Sequence, residues 1–322
     1  MYIINLDLEE KLRWKDIIDS NKEKIEKIKP KLVELINNLV GNFEHILIPL
    51  VNTFYLSNLI MYKEELNYLA DVTGLTFTQI LTLQLCYEAC ACCTSVITNV
   101  NEEKIFFRTM DWPYDFLKEL TIDIEFRKND STIFYATSWI GYVGILTATI
   151  PKKYSLAINF RSENNLTFNK ILQNLNRLIN MYWPTGYLIR YICENSLDEI
   201  DMNSQIVNCK SVSPFYLTVL NGLGESYVIN SSPSNEITFS PKTQKYTIQT
   251  NCDFDKFEPN ILYSVERRKM VKELIKSKSN NFNSIDDLIK SLYKFPVLND
   301  ETIYLCLMTP ILCTHESIIN YH

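Results

Sequence analysis

The sequence predicts an α+β fold in which two stacked antiparallel sheets are covered by helices, an αββα sandwich. Three observations lead to this prediction. Residues 1–92 are mostly helical in pattern, residues 94–159 alternate apolar and polar side chains at strand spacing, and a second strand block follows at 215–250, with helical stretches on both sides. The chain of 322 residues is also long enough to bury a substantial core without disulfides or metal ions.

The N-terminal segment is predicted to contain one strand and three helices, at 2–7, 9–39, 49–71 and 76–90. Pro30 should break the first helix, because proline lacks the backbone N–H that a helix interior needs. Gly74 lies at the end of the second helix. Thr76 and Gln79 have the spacing of a capping box, which predicts that the third helix begins there.

The remaining elements follow from hydrophobic periodicity and from polar turns between the apolar runs. Six strands are predicted at 96–98, 105–108, 120–126, 131–138, 143–150 and 154–159. Three helices come next, at 167–181, 184–196 and 198–208. Four strands are then predicted at 215–220, 225–230, 236–239 and 245–250. The chain closes with helices at 259–277 and 284–293 and strands at 302–309 and 315–319.

Composition narrows the possible partners and compartments. The net charge is −6 and basic residues are spread along the chain, so we expect no nucleic-acid partner. The first residues do not resemble a basic, apolar secretory signal, and no run of 18 apolar residues is present. These features favour the cytoplasm. The most apolar stretch, 46–62, is interpreted as a core helix, with a lipid-facing helix as the alternative.

Several kinds of catalytic site lack their required residues. The chain has only three histidines and seven glycines, and it contains no Gly-x-Ser-x-Gly elbow, Walker A loop or GxGxxG motif. Cys90 and Cys93 form one CxxC, but no second pair follows at zinc spacing, so we expect neither a metal nor a cofactor. A cysteine hydrolase that uses His45 or His315 as its base remains open at this point.

A cysteine without a histidine can use its own α-amine as the base, because an N-terminal amine has a pKa near 8. This chemistry requires the cysteine to be the first residue of a chain. Cys93 lies between a predicted helix and a predicted strand, so a cut between Cys92 and Cys93 would expose such an amine.

Two motifs point to a known family. Cys93-Thr94-Ser95-Val96-Ile97 is followed, 15 residues after the first cysteine, by Arg108-Thr109-Met110-Asp111. Together they resemble the acid ceramidase and N-acylethanolamine acid amidase family. Supporting segments occur in the same order along the rest of the chain, at 4–8, 138–147, 193–196, 248–253, 266–268 and 296–299.

The resemblance implies an amide hydrolase of the N-terminal-nucleophile class, with the four-layer αββα fold of that class. It implies self-cleavage into an α part, residues 1–92, and a β part, residues 93–322, which stay associated as a heterodimer. The implied substrate is an N-acyl lipid, either ceramide or an N-acylethanolamine, and contact with a membrane surface or lipid carrier would accompany it. The resemblance also favours an acidic lumen over the cytoplasm.

The resemblance also assigns roles to five residues. Cys93 is the nucleophile, and its freed amine is the base. Asp111 holds and orients that amine, and Arg108 lies beside the thiol. Asn251 donates to the oxyanion, and Arg267 assists in the same site or in self-cleavage.

One departure from the family and two alternative functions remain open. The family has an acidic residue where this chain has Phe160, which puts the rate and acid dependence of self-cleavage in doubt. A bile-salt or penicillin amidase is a related alternative, although those enzymes have at most a short leader before the cysteine. A non-catalytic lipid-binding protein that keeps the fold is the other.

Overall fold

Two stacked β-sheets form the centre of the protein. They are seen in a computed structural model that describes residues 1–40, 44–57, 59–88, 91–161, 168–233, 237–254 and 260–320. Helices cover both outer faces of the pair.

The strands of the described chain are β1 (Tyr2–Asn5), β2 (Cys92–Val100), β3 (Glu103–Asp111), β4 (Thr121–Lys128), β5 (Ser131–Trp139), β6 (Thr147–Ile150), β7 (Tyr154–Phe160), β8 (Phe215–Asn221), β9 (Ser226–Ser231), β10 (Thr238–Phe239), β11 (Thr247–Gln249), β12 (Asn281–Phe282), β13 (Thr302–Thr309) and β14 (Thr314–Ile319). The helices are α1 (Lys15–Asp19), α2 (Lys22–Val40), α3 (Glu44–Leu56), α4 (Lys63–Thr73), α5 (Phe77–Leu85), α6 (Leu117–Leu120), α7 (Phe168–Ile179), α8 (Thr185–Asn195), α9 (Glu199–Asn208), α10 (Ser264–Ser277) and α11 (Ile285–Leu292).

Eight strands form the larger sheet, in the order β1-β4-β5-β6-β7-β8-β9-β10. The six-stranded sheet has the order β11-β2-β3-β13-β14, and β12 also pairs with β2. The pairs are antiparallel except for β1 with β4 and β12 with β2, which are parallel. The first strand of the chain therefore forms an edge of the larger sheet.

Side-chain alternation along β2 and β3 separates two cores. Cys93 and Met110 point between the sheets, into the larger core. Val96 and Phe107 point to the opposite face, where they pack with Val271 of α10 and with α11. On the other side of the molecule, α8 contacts β5 of the larger sheet. This arrangement of helices, sheet, sheet and helices is the predicted αββα sandwich.

The two strand blocks of the sequence do not correspond to the two sheets. From the first block, β2 and β3 join the smaller sheet, where β3 pairs with β13. In the larger sheet, β7 of the first block pairs with β8 of the second. Local periodicity identifies strands, but it does not show which distant strands form hydrogen bonds with one another.

The N-terminal helices differ from the prediction in their breaks. Helix α2 continues through Pro30, since its apolar face is buried against the core. The helix predicted at 49–71 is instead α3 and α4, and Tyr62 precedes α4 with a left-handed φ of 53°. Thr76 and Gln79 form the predicted capping box at α5. No described helix is both long and apolar enough to cross a membrane.

Two predicted boundaries near the cut site also shift. The helix that starts at α5 ends at Leu85 and continues as a single 3-10 turn to Glu88; residues 89–90, to which it was predicted to extend, lie outside the described part. The strand predicted at 143–150 begins only at Thr147. Before it, the chain turns at Gly141, where φ is 84°, and Gly144 packs closely on Gly186, since a Cβ atom at Gly144 would lie 3.0 Å from the Gly186 backbone.

Candidate active site

The start of β2 places Cys93 in the space between the two sheets. The side chain of Cys93 is fully buried there. Cys92 is the cross-strand neighbour of Asp111, whereas Cys93 is the neighbour of Met110. Because successive side chains of a strand point to opposite faces, the two adjacent thiols lie on different sides of the smaller sheet.

Arg108 contacts the sulfur of Cys93 directly. Ser95 of β2 pairs with Arg108 of β3, so the arginine points to the same face as Cys93. Its Nη2 lies 3.3 Å from Cys93 Sγ and donates to the carbonyl of Ile158 at 3.1 Å. Its Nη1 donates to Tyr304 Oη at 2.6 Å. A buried guanidinium at this distance stabilises negative charge on sulfur.

The backbone of Cys93 is held at both ends by side chains from other elements. Its N–H donates to Asn251 Oδ1 at 2.8 Å. Its carbonyl accepts from Arg267 Nη1 at 2.7 Å and from Asn159 Nδ2 at 3.0 Å. All three partners are fully buried, so the two peptide groups that flank the Cα atom of Cys93 are held in a site without solvent exposure.

Asn251 lies beside the peptide segment that precedes Cys93. Its Nδ2 donates to the carbonyl of Phe160 at 2.8 Å and lies 3.4 Å from the carbonyl of Ala91. Its backbone N–H donates to Ser264 Oγ at 2.7 Å, and its Oδ1 also accepts from Arg267 Nη2 at 3.0 Å. The amide therefore faces the residue before Cys92 in the uncut chain.

Asp111 lies on the opposite face of the sheet from the Cys93 sulfur. Thr302 Oγ1 donates to its carboxylate at 2.8 Å, and Arg267 Nη1 lies 3.5 Å away. Complete burial raises the pKa of Asp111 to about 6, although the charge of Arg267 and the hydrogen bond from Thr302 oppose that rise. Arg267 thus contacts both Asp111 and the carbonyl of Cys93.

The structure brings Arg108, Asp111, Asn251 and Arg267 together around Cys93. Arg108, Asn251 and Arg267 contact Cys93 directly, and Asp111 is connected to it through Arg267. These are the positions that the motif resemblance assigned.

Two further residues of the site were not predicted from the sequence, Asn159 and Tyr304. Asn159 follows three apolar residues in β7, and a polar amide at the end of such a buried run was an available signal. Tyr304 gave no such signal, because a tyrosine in an apolar strand is ordinary core composition.

His315 lies between the sheets with partners other than Cys93. Its Nε2 and Nδ1 lie 2.8 Å and 3.0 Å from the hydroxyls of Thr137 and Thr149, and Cys306 Sγ is 3.6 Å from Nε2. Burial lowers the pKa of His315 to about 4. The side chain of His45, the other histidine considered as a base, lies outside the described residues.

Two family models match the chain. One, described as linear amide C–N hydrolases of the choloylglycine hydrolase family, matches residues 93–254 and so begins at Cys93. The other, described as the beta subunit of N-acylethanolamine-hydrolyzing acid amidase, matches residues 1–54. The first model begins at the predicted nucleophile, and the second lies within residues 1–92, the predicted α part, although its description names a beta subunit.

The comparison with a solved structure supports the fold. The N-acylethanolamine-hydrolyzing acid amidase ortholog of Caenorhabditis elegans is 22% identical and has a TM-score of 0.56, covering 68% of this chain and 93% of its own. This similarity confirms the predicted N-terminal-nucleophile hydrolase sandwich.

Sequence relatives extend over nearly the whole chain. The uncharacterized protein R632 of Acanthamoeba polyphaga mimivirus is 38% identical over 307 residues, which is 94% of either chain. The acid ceramidase of Mus musculus is 28% identical over 348 residues, covering 95% of this chain and 82% of its own. With a family model that begins at the candidate nucleophile and covers half of the sequence, the chain belongs to the choloylglycine hydrolase family of linear amide C–N hydrolases.

Proposed function

We propose that this protein cuts itself between Cys92 and Cys93 and then hydrolyses the amide bond of N-acyl lipids. The observation that carries the proposal is the 3.3 Å contact between Arg108 and the Cys93 sulfur, made while Asn251 holds the Cys93 backbone N–H. The family model that begins at Cys93 supports the same residue as the first of the mature catalytic chain.

Self-cleavage starts with attack of the Cys93 sulfur on the carbonyl carbon of Cys92. The peptide C–N bond breaks, the Cys92 acyl group moves to sulfur as a thioester, and the Cys93 nitrogen takes a proton to become a free amine. Water then hydrolyses the thioester, which leaves a carboxylate on Cys92 and a thiol on Cys93. Asn251 holds the N–H of the reacting peptide, and Arg267 and Asn159 hold the Cys93 carbonyl on the other side of the Cα atom, so Cys93 keeps its orientation.

In turnover the freed amine takes the proton of the Cys93 thiol, and the sulfur attacks the substrate carbonyl. The amide C–N bond breaks, the amine product leaves with the proton, and water releases the fatty acid from the thioester. Asp111 stabilises the ammonium form of the Cys93 amine. Asn251 Nδ2, which faces Ala91 in the uncut chain, donates to the oxyanion once residues 91–92 withdraw.

The substrate class follows from the names of the relatives and from an apolar cavity. Acid ceramidase is the name of several relatives that span 95% of this chain. A cavity of about 370 Å³ lies between helices of both parts, and its lining includes Phe54, Leu81, Trp183 and Tyr187. Such a lining suits the acyl chain of a lipid. The exposed Leu56 of α3 lies in the sequence between Phe54 and Leu59, which line this cavity, and gives a point of contact for a membrane or lipid carrier.

A strand pairing and a buried ion pair join residues 1–92 to residues 93–322, and both would persist after the cut. Strand β1 of the first part is paired with β4 of the second. The Nη1 and Nη2 of Arg190 each bind a carboxylate oxygen of Glu65 at 2.6 Å, and both side chains are fully buried. Trp14 Nε1 donates to the same carboxylate at 2.7 Å. Separation would expose or unpair these charges, so we propose a stable heterodimer.

Replacement of the two adjacent cysteines tests the mechanism. Cys93→Ala should remain one chain in intact-mass measurements and should hydrolyse no amide. Cys92→Ala is the matched control, because its thiol points to the other face of the sheet, and it should be cut and active. A fully active wild-type protein that is still uncut before Cys93 would refute the proposal.

A panel of labelled amides separates the related functions. Ceramide and an N-acylethanolamine should be cleaved, and a bile-salt amide and a penicillin should be cleaved much more slowly. Preference for the last two would assign the bile-salt or penicillin activity instead. Failure of an acyl-electrophile probe to label Cys93 would favour a non-catalytic lipid-binding protein.

A further inference from the structure

Glu88 is a buried carboxylate in the segment just before the proposed cut, and the partners described for it lie after the cut. It accepts from the backbone N–H of Thr185 at 2.6 Å and from Thr185 Oγ1 at 3.0 Å. Ser213 Oγ donates to the same carboxylate. Burial raises the pKa of Glu88, and the three hydrogen bonds oppose that effect.

The contact with Thr185 joins the end of the N-terminal part to a helix of the C-terminal part. Thr185 is the first residue of α8, where backbone N–H groups have no partner within the helix. A carboxylate at this end also interacts favourably with the helix dipole. One turn earlier, the side chain of Gln84 forms hydrogen bonds with the backbone of Gly141 and Val143. The segment that contains Gln84 and Glu88 therefore forms hydrogen bonds with the C-terminal part through both of these side chains.

Glu88 is close in sequence to the scissile bond. Only three residues separate it from Cys92, and an extended residue spans about 3.5 Å. On the other side of the bond, Asn251, Arg267 and Asn159 hold the backbone of Cys93. The peptide to be cut thus lies between the hydrogen bonds of Gln84 and Glu88 upstream and the hydrogen bonds to the Cys93 backbone downstream.

We propose that Glu88 is a positioning residue for self-cleavage, which fixes the upstream flank of the Cys92–Cys93 bond on Thr185 and Ser213. The inference rests on the proposed function, because it concerns the cut that exposes Cys93. It goes beyond that function in assigning a residue that acts in maturation and has no part in turnover.

Glu88 should affect self-cleavage and not substrate turnover, because it makes none of the contacts with Cys93 described above. Arg108, Asn159, Asn251 and Arg267, which contact Cys93 directly, belong to the C-terminal part. None of these four contacts involves Glu88. Once the bond is cut, the upstream flank no longer has to be aligned with the sulfur. A change at Glu88 should therefore slow the cut and leave the turnover of cut molecules unchanged.

The rate of cutting in Glu88→Gln tests the inference. The amide keeps the size of the side chain but replaces one accepting oxygen with a donor, so it conflicts with the donors from Thr185 and Ser213. The full-length protein is followed by intact mass, and we expect the first-order cut to be about tenfold slower than in wild type. Turnover per cut molecule, counted with an acyl-electrophile probe, should stay within about twofold of wild type.

Three further variants keep the test sharp. Glu64→Gln makes the same change at an exposed carboxylate of the N-terminal part and should be cut at the wild-type rate. Ser213→Ala removes one donor, keeps Glu88 intact and should slow the cut about threefold, which provides a second measurement if Glu88→Gln does not fold. Thermal unfolding of Cys93→Ala with and without Glu88→Gln shows whether the uncut fold is retained.

The outcomes distinguish this inference from the proposed function. A Glu88→Gln protein cut at the wild-type rate would overturn the role of Glu88 and leave the role of Cys93 standing. Equal losses in cutting and in turnover per cut molecule would show that Glu88 supports the catalytic fold in general, and would also overturn the inference. A wild-type protein that is never cut would refute the proposed function together with this inference.

Discussion

Tyr304 Oη accepts a 2.6 Å hydrogen bond from Nη1 of Arg108, on the opposite branch of the guanidinium from the Cys93 sulfur. Tyr304 belongs to β13 of the smaller sheet, and its hydroxyl also lies 3.1 Å from Thr147 Oγ1 in the larger sheet. The Tyr304 hydroxyl thereby connects the two sheets next to the arginine that contacts the Cys93 sulfur. It fixes the rotation of the arginine, so that Nη2 faces Cys93.

Tyr304→Phe should lower the kcat of the cut enzyme and leave KM nearly unchanged. A hydrogen bond to a charged group is worth about 1.5–3 kcal/mol, and each 1.4 kcal/mol lost from the transition state is about tenfold in rate, so we expect at least a tenfold decrease. Steady-state kinetics measures it. Tyr154→Phe is the matched control, since it removes another buried hydroxyl, near Cys193 and Ser196, and should leave kcat unchanged. Equal kinetics for both variants would contradict the role of Tyr304.

Turnover should lose activity in acid with a midpoint no higher than about pH 6. Burial raises the pKa of Asp111 to about 6 in the uncut chain, and a protonated Asp111 cannot stabilise the ammonium form of the Cys93 amine. The carboxylate is present above its pKa, so activity falls as the pH drops through that value. Asp111→Asn should lower kcat/KM about 100-fold at pH 7 and shift this acid limb, because Asp111 no longer titrates and only the Cys93 amine does. An unchanged pH profile in Asp111→Asn would exclude this role.

His315 should make the uncut fold sensitive to acid. Its pKa is about 4 in the folded protein and 6.5 in the reference state, so the folded state binds fewer protons between these values and stability falls as the pH drops through that window. At about 1.4 kcal/mol per pKa unit, the loss is about 3 kcal/mol. Denaturant unfolding of Cys93→Ala, with and without His315→Gln, should show this loss only where His315 is present.

The same histidine variant tests a histidine-based mechanism. His315→Gln in the wild-type background should be cut and should turn over substrate at neutral pH, because His315 binds Thr137 and Thr149. A complete loss of both activities, with the fold retained, would instead assign the base to His315.

Arg190→Met should strongly destabilise the uncut chain, since it leaves Glu65 buried without its bidentate partner. Breaking a buried pair in this way costs about 3–5 kcal/mol. Urea unfolding of Cys93→Ala with and without this change measures it. Arg127→Met is the matched control, because Arg127 pairs with Glu125 while 42% exposed and should contribute less than about 1 kcal/mol. Similar effects of the two changes would show that burial does not determine how much the Arg190–Glu65 pair contributes to the free energy of unfolding.

The features that the sequence predicts well depend on short segments of chain. The capping box of Thr76 and Gln79 lies within four residues, and the structure confirms it. The alternation that marks β2 and β3 as strands is equally local. The motifs at Cys93 and Arg108 belong to adjacent strands joined by a short turn, so a contact between them is close to a local property.

The features that the sequence does not predict depend on contacts between distant segments. Helix α2 continues through Pro30 because its apolar face packs on the core, and nothing within the helix itself reveals that packing. Tyr304 reaches Arg108 only after β13 pairs with β3, 196 positions away in the chain. Asn159 reaches the Cys93 carbonyl across the gap between the sheets.

The parallel pairing of β1 with β4 gives the proposed cut a reason to follow folding. Without Tyr2–Asn5, the backbone N–H and C=O groups along that side of β4 would be an open template for another chain. A polypeptide produced directly from Cys93 onward would therefore be prone to aggregation through the unpaired edge of β4. If the chain is cut as proposed, synthesis in one piece lets β1 pair with β4 before the catalytic part becomes a separate chain, so the first part assists the folding of the second.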